Sequence, residues 1–157
     1  MPHDLTPGEL LYAGVQLTRP LLRNITTRVE ADLAGTGVSV GQRAILEALR
    51  ELGQATAPQI TGRLDVKRQF VGREIKALLE RGFVEAVANP DHRASRFYRL
   101  TPTSTRIIDG IRMREKEQFD AFASRFTREE IAAYCKIQSA LNREMSARQG
   151  RTEHTAT

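Results

Sequence analysis

Five places in this chain of 157 residues mark a helix start, and together they divide it into helical segments. Thr6…Glu9, Ser39…Gln42, Thr56…Gln59 and Thr127…Glu130 each set a hydroxyl three residues ahead of a Glu or Gln. At that spacing the hydroxyl accepts from an orphan amide of the first turn, and the Glu or Gln accepts from the capping residue's own amide. Thr101-Pro102 is the fifth, and Pro7 follows Thr6 in the same style. Proline at the first helical position sacrifices no hydrogen bond. A chain punctuated this way is mainly α-helical.

The apolar positions follow these starts. Leu10, Leu11, Val15, Leu17, Leu21, Leu22, Ile25, Val29 and Leu33 predict a first helix from about Pro7 to about Leu33. Its apolar stripe is wider than one neighbour would cover. Pro20 stands in the middle of it, where a missing amide and a clash with the preceding turn predict a kink or break. A second helix, about Val40 to Leu52, turns Ile45, Leu46, Leu49 and Leu52 inward, with Gly53 as its stop. A short third helix, about Ala57 to Leu64, presents Ile60 and Leu64 to the core. A fourth runs from about Lys67 to Arg81 and is closed by Gly82. Phe83, Val84 and Val87 then alternate as a strand, Asn89-Pro90-Asp91 turns the chain, and Phe97-Tyr98-Arg99-Leu100 returns. Helices over about Pro102 to Ser124 and Arg128 to Ala147 complete the chain, followed by a mobile tail over 148–157. The single domain thus divides into a lobe over about 37–101 and terminal helices over about 7–34 and 102–147. Those helices carry more apolar surface than a lobe of that size can bury, so they need a partner.

The order helix, short turn, cationic helix and basic hairpin is a winged helix-turn-helix. The fold class is therefore mainly α with a small β-hairpin wing. Charge supports a nucleic-acid partner for it. Residues 61–106 hold ten Lys or Arg against five acids, and the remaining residues hold fourteen of each, so the whole net charge of +5 sits in this segment. A localised positive surface is the footprint of phosphate binding.

On the helix 67–81, steps of 100° put Val71, Ile75, Leu78 and Leu79 on one face and Gln69, Arg73, Lys76 and Glu80 on the other. A helix of this size fits the major groove of double-stranded DNA. There Gln69 can pair with adenine and Arg73 with guanine, while Lys76 lies nearer a phosphate. Lys67 and Arg68 place two cations at the helix N-terminus, where the helix dipole prefers anions. A phosphate held by the free amides and both cations would account for them; the alternative is a cap supplied by Asp65. The hairpin tip holds His92, Arg93 and Arg96; Arg93 suits the narrow minor groove, and Arg96 is assigned to the DNA-binding surface with it. Asp91 is assigned to stabilising the wing, either by capping its turn or by pairing with Arg93.

Other chemistries lack support. A lone Cys135 rules out an internal disulfide and, on the apolar stripe of its helix, reads as a buried structural residue rather than an oxidant sensor. His3, His92 and His154 lie far apart, so no metal site is expected. No nucleophile elbow, glycine-rich phosphate loop or carboxylate pair suggests an enzyme, and no cofactor is implied. The start, Met1-Pro2-His3-Asp4-Leu5, lacks a secretory pattern, and no apolar run approaches the ~18 residues that span a bilayer. A cytoplasmic location without a membrane partner is expected.

The chain resembles the multiple-antibiotic-resistance-regulator (MarR) family of bacterial transcription factors over about residues 8–147. The resemblance is carried by Gly37-Val38-Ser39-Val40-Gly41-Gln42 before Ile45-Leu46, by Pro58-Gln59-Ile60 to Leu64, and by Val66 through Arg73. Leu78-Leu79-Glu80-Arg81-Gly82-Phe83-Val84 and Asn89-Pro90-Asp91-His92-Arg93 running to Leu100-Thr101 extend it. It implies an obligate homodimer built from the terminal helices, a pseudo-palindromic DNA site and, often, release by a small ligand. Its reading helix falls on Gln69 and Arg73, and its wing pair on Asp91 and Arg93. Lys67 stands where the family usually has Ser or Thr, and Ser104-Thr105 where a glycine commonly follows the second strand. The expected function is a sequence-specific, ligand-responsive repressor. The alternatives are a winged-helix module docking an acidic protein, or one binding DNA without sequence preference. Tyr12, Arg19 and Arg43 are candidate ligand contacts among which the sequence does not choose.

Overall fold

The computed structural model describes residues 4–152. It holds α1 (Pro7–Gln16), α2 (Thr18–Leu33), α3 (Val40–Leu52), β1 (Ala55–Thr56), α4 (Ala57–Leu64), α5 (Arg68–Glu80), β2 (Val84–Val87), β3 (Phe97–Leu100), α6 (Pro102–Ala123) and α7 (Arg128–Thr152). By contacts these form two compact units, one ending at Ile111 and the other beginning at Arg112.

All four capping boxes close as the spacing predicts, at α1, α3, α4 and α7. The fifth start closes as well, with Ser104 in the place of Glu or Gln. The Thr101 amide donates to Ser104 Oγ at 3.1 Å, and the Ser104 amide donates to Thr101 Oγ1 at 3.4 Å. The predicted break in the first helix falls at Leu17. Pro20 brings no amide to bond the Gln16 carbonyl four residues back, and its ring crowds that carbonyl. Leu17 instead donates to the Gly14 carbonyl at 3.1 Å, and the helix restarts with Leu21 bonding Leu17 at 3.0 Å.

The core of the first unit is drawn from every element of the lobe. Ile45, Leu46 and Leu49 of α3, Ile60 of α4, Val71, Ile75 and Leu78 of α5, and Ile108 and Ile111 of α6 are all at most 3% exposed. Two residues predicted to face inward do not: Leu52 is 48% exposed, at the last position of α3, and Leu79 is 36% exposed at the edge of the α5 stripe. The hairpin is joined by a strand that went unpredicted, so the sheet has three strands in the order β1-β3-β2. Ala55 pairs with Tyr98 and Thr56 with Phe97, which ties the loop end of β3 to the start of α4.

The second unit holds the rest of α6, a turn over 124–127 and α7, and none of its described side chains is buried. Phe119, Phe122, Phe126, Tyr134 and Ile137 are among its exposed apolar residues. Cys135 is exposed too, which corrects the expectation that it is a buried structural residue. α7 runs five residues past its predicted end at Ala147, so the first half of the predicted tail is helical; 153–157 lie outside the described residues.

Candidate nucleic-acid interface

The turn between α4 and α5 sets the direction of α5, the candidate reading helix. Asp65 closes α4 in the left-handed conformation, with φ 51° and ψ 50°. A non-glycine residue there costs about 1 kcal/mol, least for Asp or Asn. Asp65 is thereby spent on the turn and does not cap α5. The N-cap of α5 is Lys67, and no side chain bonds the first-turn amides. Of the two readings of this helix start, the Asp65 cap is not what the fold adopts.

At the other end α5 stops in a two-bond turn around Gly82, whose φ is 69°. The Phe83 amide reaches the Leu78 carbonyl at 2.9 Å and the Gly82 amide reaches Leu79 at 3.1 Å. This doubly bonded C-cap swings the chain straight into β2. The Phe83 carbonyl in turn accepts a hydrogen bond from the fully buried Ser104 hydroxyl at 2.6 Å. Where a glycine was expected, a serine bolts the base of the wing to α6.

Ring packing fixes α5 from the side. Phe70 lies against Gly41 of α3 so closely that a Cβ at Gly41 would stand 2.6 Å from the ring's tip. Gly41→Val is therefore expected to destabilise the lobe by about 1–3 kcal/mol through overpacking, and Phe70→Leu to recover part of that loss. Strictly additive melting shifts in the double variant would mean that the two positions are uncoupled.

The cations divide into two sets. Arg63 pairs with Glu51 at 2.6 Å, and Arg99 with Glu85 at 2.6 Å across the wing strands. Arg81 folds back, stacking 4.8 Å above the Phe83 ring and donating to the Gly37 carbonyl. These three serve the fold. Lys67, Arg68, Lys76, Arg93 and Arg96 are exposed, and none takes part in an ion pair among the described residues. Gln69 is exposed on the same face of α5 as Lys76 and Arg73. The fold therefore groups Lys67, Arg68, Gln69, Arg73 and Lys76 along α5, while Arg93 and Arg96 lie in the separate loop between β2 and β3.

Within that loop Asn89 closes the turn by accepting from the Asp91 amide at 3.1 Å. Among the described residues the Asp91 carboxylate bonds neither Arg93 nor a backbone amide. The wing-stabilising contacts expected of Asp91 are thus made by Asn89 and by the Glu85–Arg99 pair. Sequence reading also missed the surroundings of Arg73. Its Nε donates to Glu74 Oε1 at 3.1 Å, and Gln42 Nε2 donates to Glu74 Oε2 at 3.0 Å. A long polar residue at position 42 beside a carboxylate at 74 carries no spacing signal, because 32 residues separate them.

No group of three or more His, Cys, Asp or Glu among the described residues could hold a metal ion, and no helix there is long and apolar enough to cross a membrane.

A family model for the MarR family matches residues 36–95, from the start of the lobe into the loop between β2 and β3. A solved MarR family transcription regulator is 43% identical over 91% of this chain and 95% of its own, with a TM-score of 0.85. The chain belongs to the MarR family. It is thus one of a family of transcription regulators rather than of enzymes. More distant MarR-like folds include Streptococcus pneumoniae FabT in complex with DNA, 18% identical over 87% of this chain and 98% of that one, TM-score 0.78. Staphylococcus aureus MarR in complex with salicylate and kanamycin is 14% identical over 88% and 94%, also with a TM-score of 0.78. No curated protein matches this MarR-family chain.

Proposed function

We propose that this protein is a homodimeric repressor that binds a pseudo-palindromic double-stranded DNA operator and is released by a small molecule. The observation that carries the reading is the exposed α5 face, where Gln69, Arg73 and Lys76 stand beside the uncapped, doubly cationic helix start at Lys67 and Arg68. Gln69 and Arg73 read base edges in the major groove. Lys67, Arg68 and Lys76 hold phosphates, the first two with the free amides of the helix start. Arg93 enters the flanking minor groove, with Arg96 against its backbone. Complexes of MarR-like folds with DNA and with salicylate support both the DNA partner and the effector.

Dimerisation follows from what the chain leaves uncovered. A helical unit with no buried described side chain cannot hold its packing alone, and Leu10, Leu21 and Ile25 of α1 and α2 are likewise more than 40% exposed. A two-fold dimer presents two α5 helices about one helical turn of DNA apart, which makes the site an inverted repeat.

The test is selection of sheared genomic DNA by the purified protein at about 150 mM salt, where non-specific contacts are weakened. Recovery of a few fragments sharing an inverted repeat is expected. Recovery without sequence preference, or none at all, would replace the operator reading with non-specific binding or with docking of an acidic protein.

A further inference from the structure

We infer that Glu74, held from behind by Gln42, is a positioning residue that sets Arg73 to read guanine. The inference rests on the proposal above that α5 enters the major groove, and it adds the base that one position of the operator carries. Consecutive residues on a helix point about 100° apart, so an arginine and the residue after it do not ordinarily meet. Here they do, because the Glu74 carboxylate is fixed from the far side. Gln42 is 9% exposed and accepts from the Ser39 amide at 3.2 Å through Oε1, which leaves Nε2 to hold Glu74 Oε2. The capping box of α3 therefore orients Gln42, Gln42 orients Glu74, and Glu74 meets Arg73.

The geometry selects which part of the guanidinium remains for DNA. Glu74 occupies the Nε edge of Arg73. The two terminal nitrogens remain as a fork of donors, which matches the paired acceptors O6 and N7 of guanine. Adenine offers N7 beside an amino donor and cannot satisfy both prongs. The Arg73 side chain is 73% exposed while that of Glu74 is 15% exposed, so the cation reaches out and its guide stays in the surface. Arg73 also lies 5.7 Å from the centroid of the Phe70 ring, a second constraint on its path. An ion pair this exposed contributes little to stability. What it supplies is preorganisation of a long side chain that would otherwise lose rotamer freedom on binding. A carboxylate on a phosphate-facing surface is a liability for backbone binding, and base selection gives it a purpose.

The experiment uses the full chain and the duplex recovered by genomic selection, with each base pair varied singly. Binding is measured for the wild type, Arg73→Ala, Glu74→Gln and Glu74→Ala, with melting curves confirming that each variant is folded. The wild type is expected to prefer guanine at one column of each half-site, and Arg73→Ala to erase that preference. Both Glu74 variants should reduce it by about tenfold, leave other columns unchanged, and bind unrelated DNA no more weakly, since a negative charge has gone. Glu74 variants that keep the guanine preference, or that weaken every column alike, overturn the positioning role while leaving Arg73 as reader. If Arg73→Ala changes no column, the reading of Arg73 itself falls, and the inference with it.

Discussion

Replacing Phe119 and Phe122 together by Glu is expected to leave a folded lobe that no longer dimerises. The two rings are 70% and 53% exposed in the single chain, one helical turn apart on α6. Neither contributes to the core around Ile45, Leu49 and Ile75, so that core should survive the change. Full covering of a Phe stabilises by about 1.5–3 kcal/mol, and a two-fold interface counts each ring twice. Allowing for the share of each ring already covered, the loss is roughly 4–7 kcal/mol, or on the order of 10³- to 10⁵-fold in the dimer dissociation constant. Sedimentation equilibrium gives the association constant directly. The inverted-repeat affinity should fall with it, because one lobe reads only one half-site. A variant that remains dimeric at unchanged strength would exclude this face as the subunit contact.

The second large effect separates two kinds of cation on α5. Arg73→Ala should cost roughly 1–3 kcal/mol on the cognate site and flatten its preference at one base pair. Lys67→Ala should weaken cognate and random duplexes alike, and its plot of log affinity against log salt should become shallower by about one unit. Titrations of both duplexes between low and moderate salt distinguish the two. A uniform loss in Arg73→Ala would make it a phosphate contact, and an unchanged salt slope in Lys67→Ala would remove the phosphate from the helix start.

The parts of this fold that were legible in the sequence are those whose cause is local. A capping box needs only a hydroxyl and its partner three residues later, and the four such pairs close as written. A kink or break was expected at Pro20; because proline acts on the carbonyl four residues back, it falls three residues earlier, at Leu17. The two faces of α5 follow from the helical period, and Val71, Ile75 and Leu78 are buried as that period requires. What escaped depends on distant partners or on double duty. β1 is two residues long, and Thr56 already serves as the cap of α4, which hid its pairing with Phe97. Ser104 was read as a departure from a family pattern, whereas its hydroxyl both completes a cap and ties down the wing. Cys135 was placed inside from the stripe of its helix, but a stripe says only that a surface is apolar, and Cys135 is exposed on α7. Glu74 was not singled out, because the residue that holds it lies in α3.

The break at Leu17 leaves α1 as a separate helix of ten residues with no buried side chain. Isolated helices shorter than about 12–15 residues are marginal in water, so α1 contributes little order of its own and gains it when its leucines are covered. In the proposed dimer, subunit assembly is then coupled to folding. Its thermodynamic signature is a heat-capacity decrease larger than two preformed surfaces would give, together with an entropic penalty from ordering that segment. The strength of the pair consequently depends on temperature more steeply than the strength of the lobe's grip on DNA.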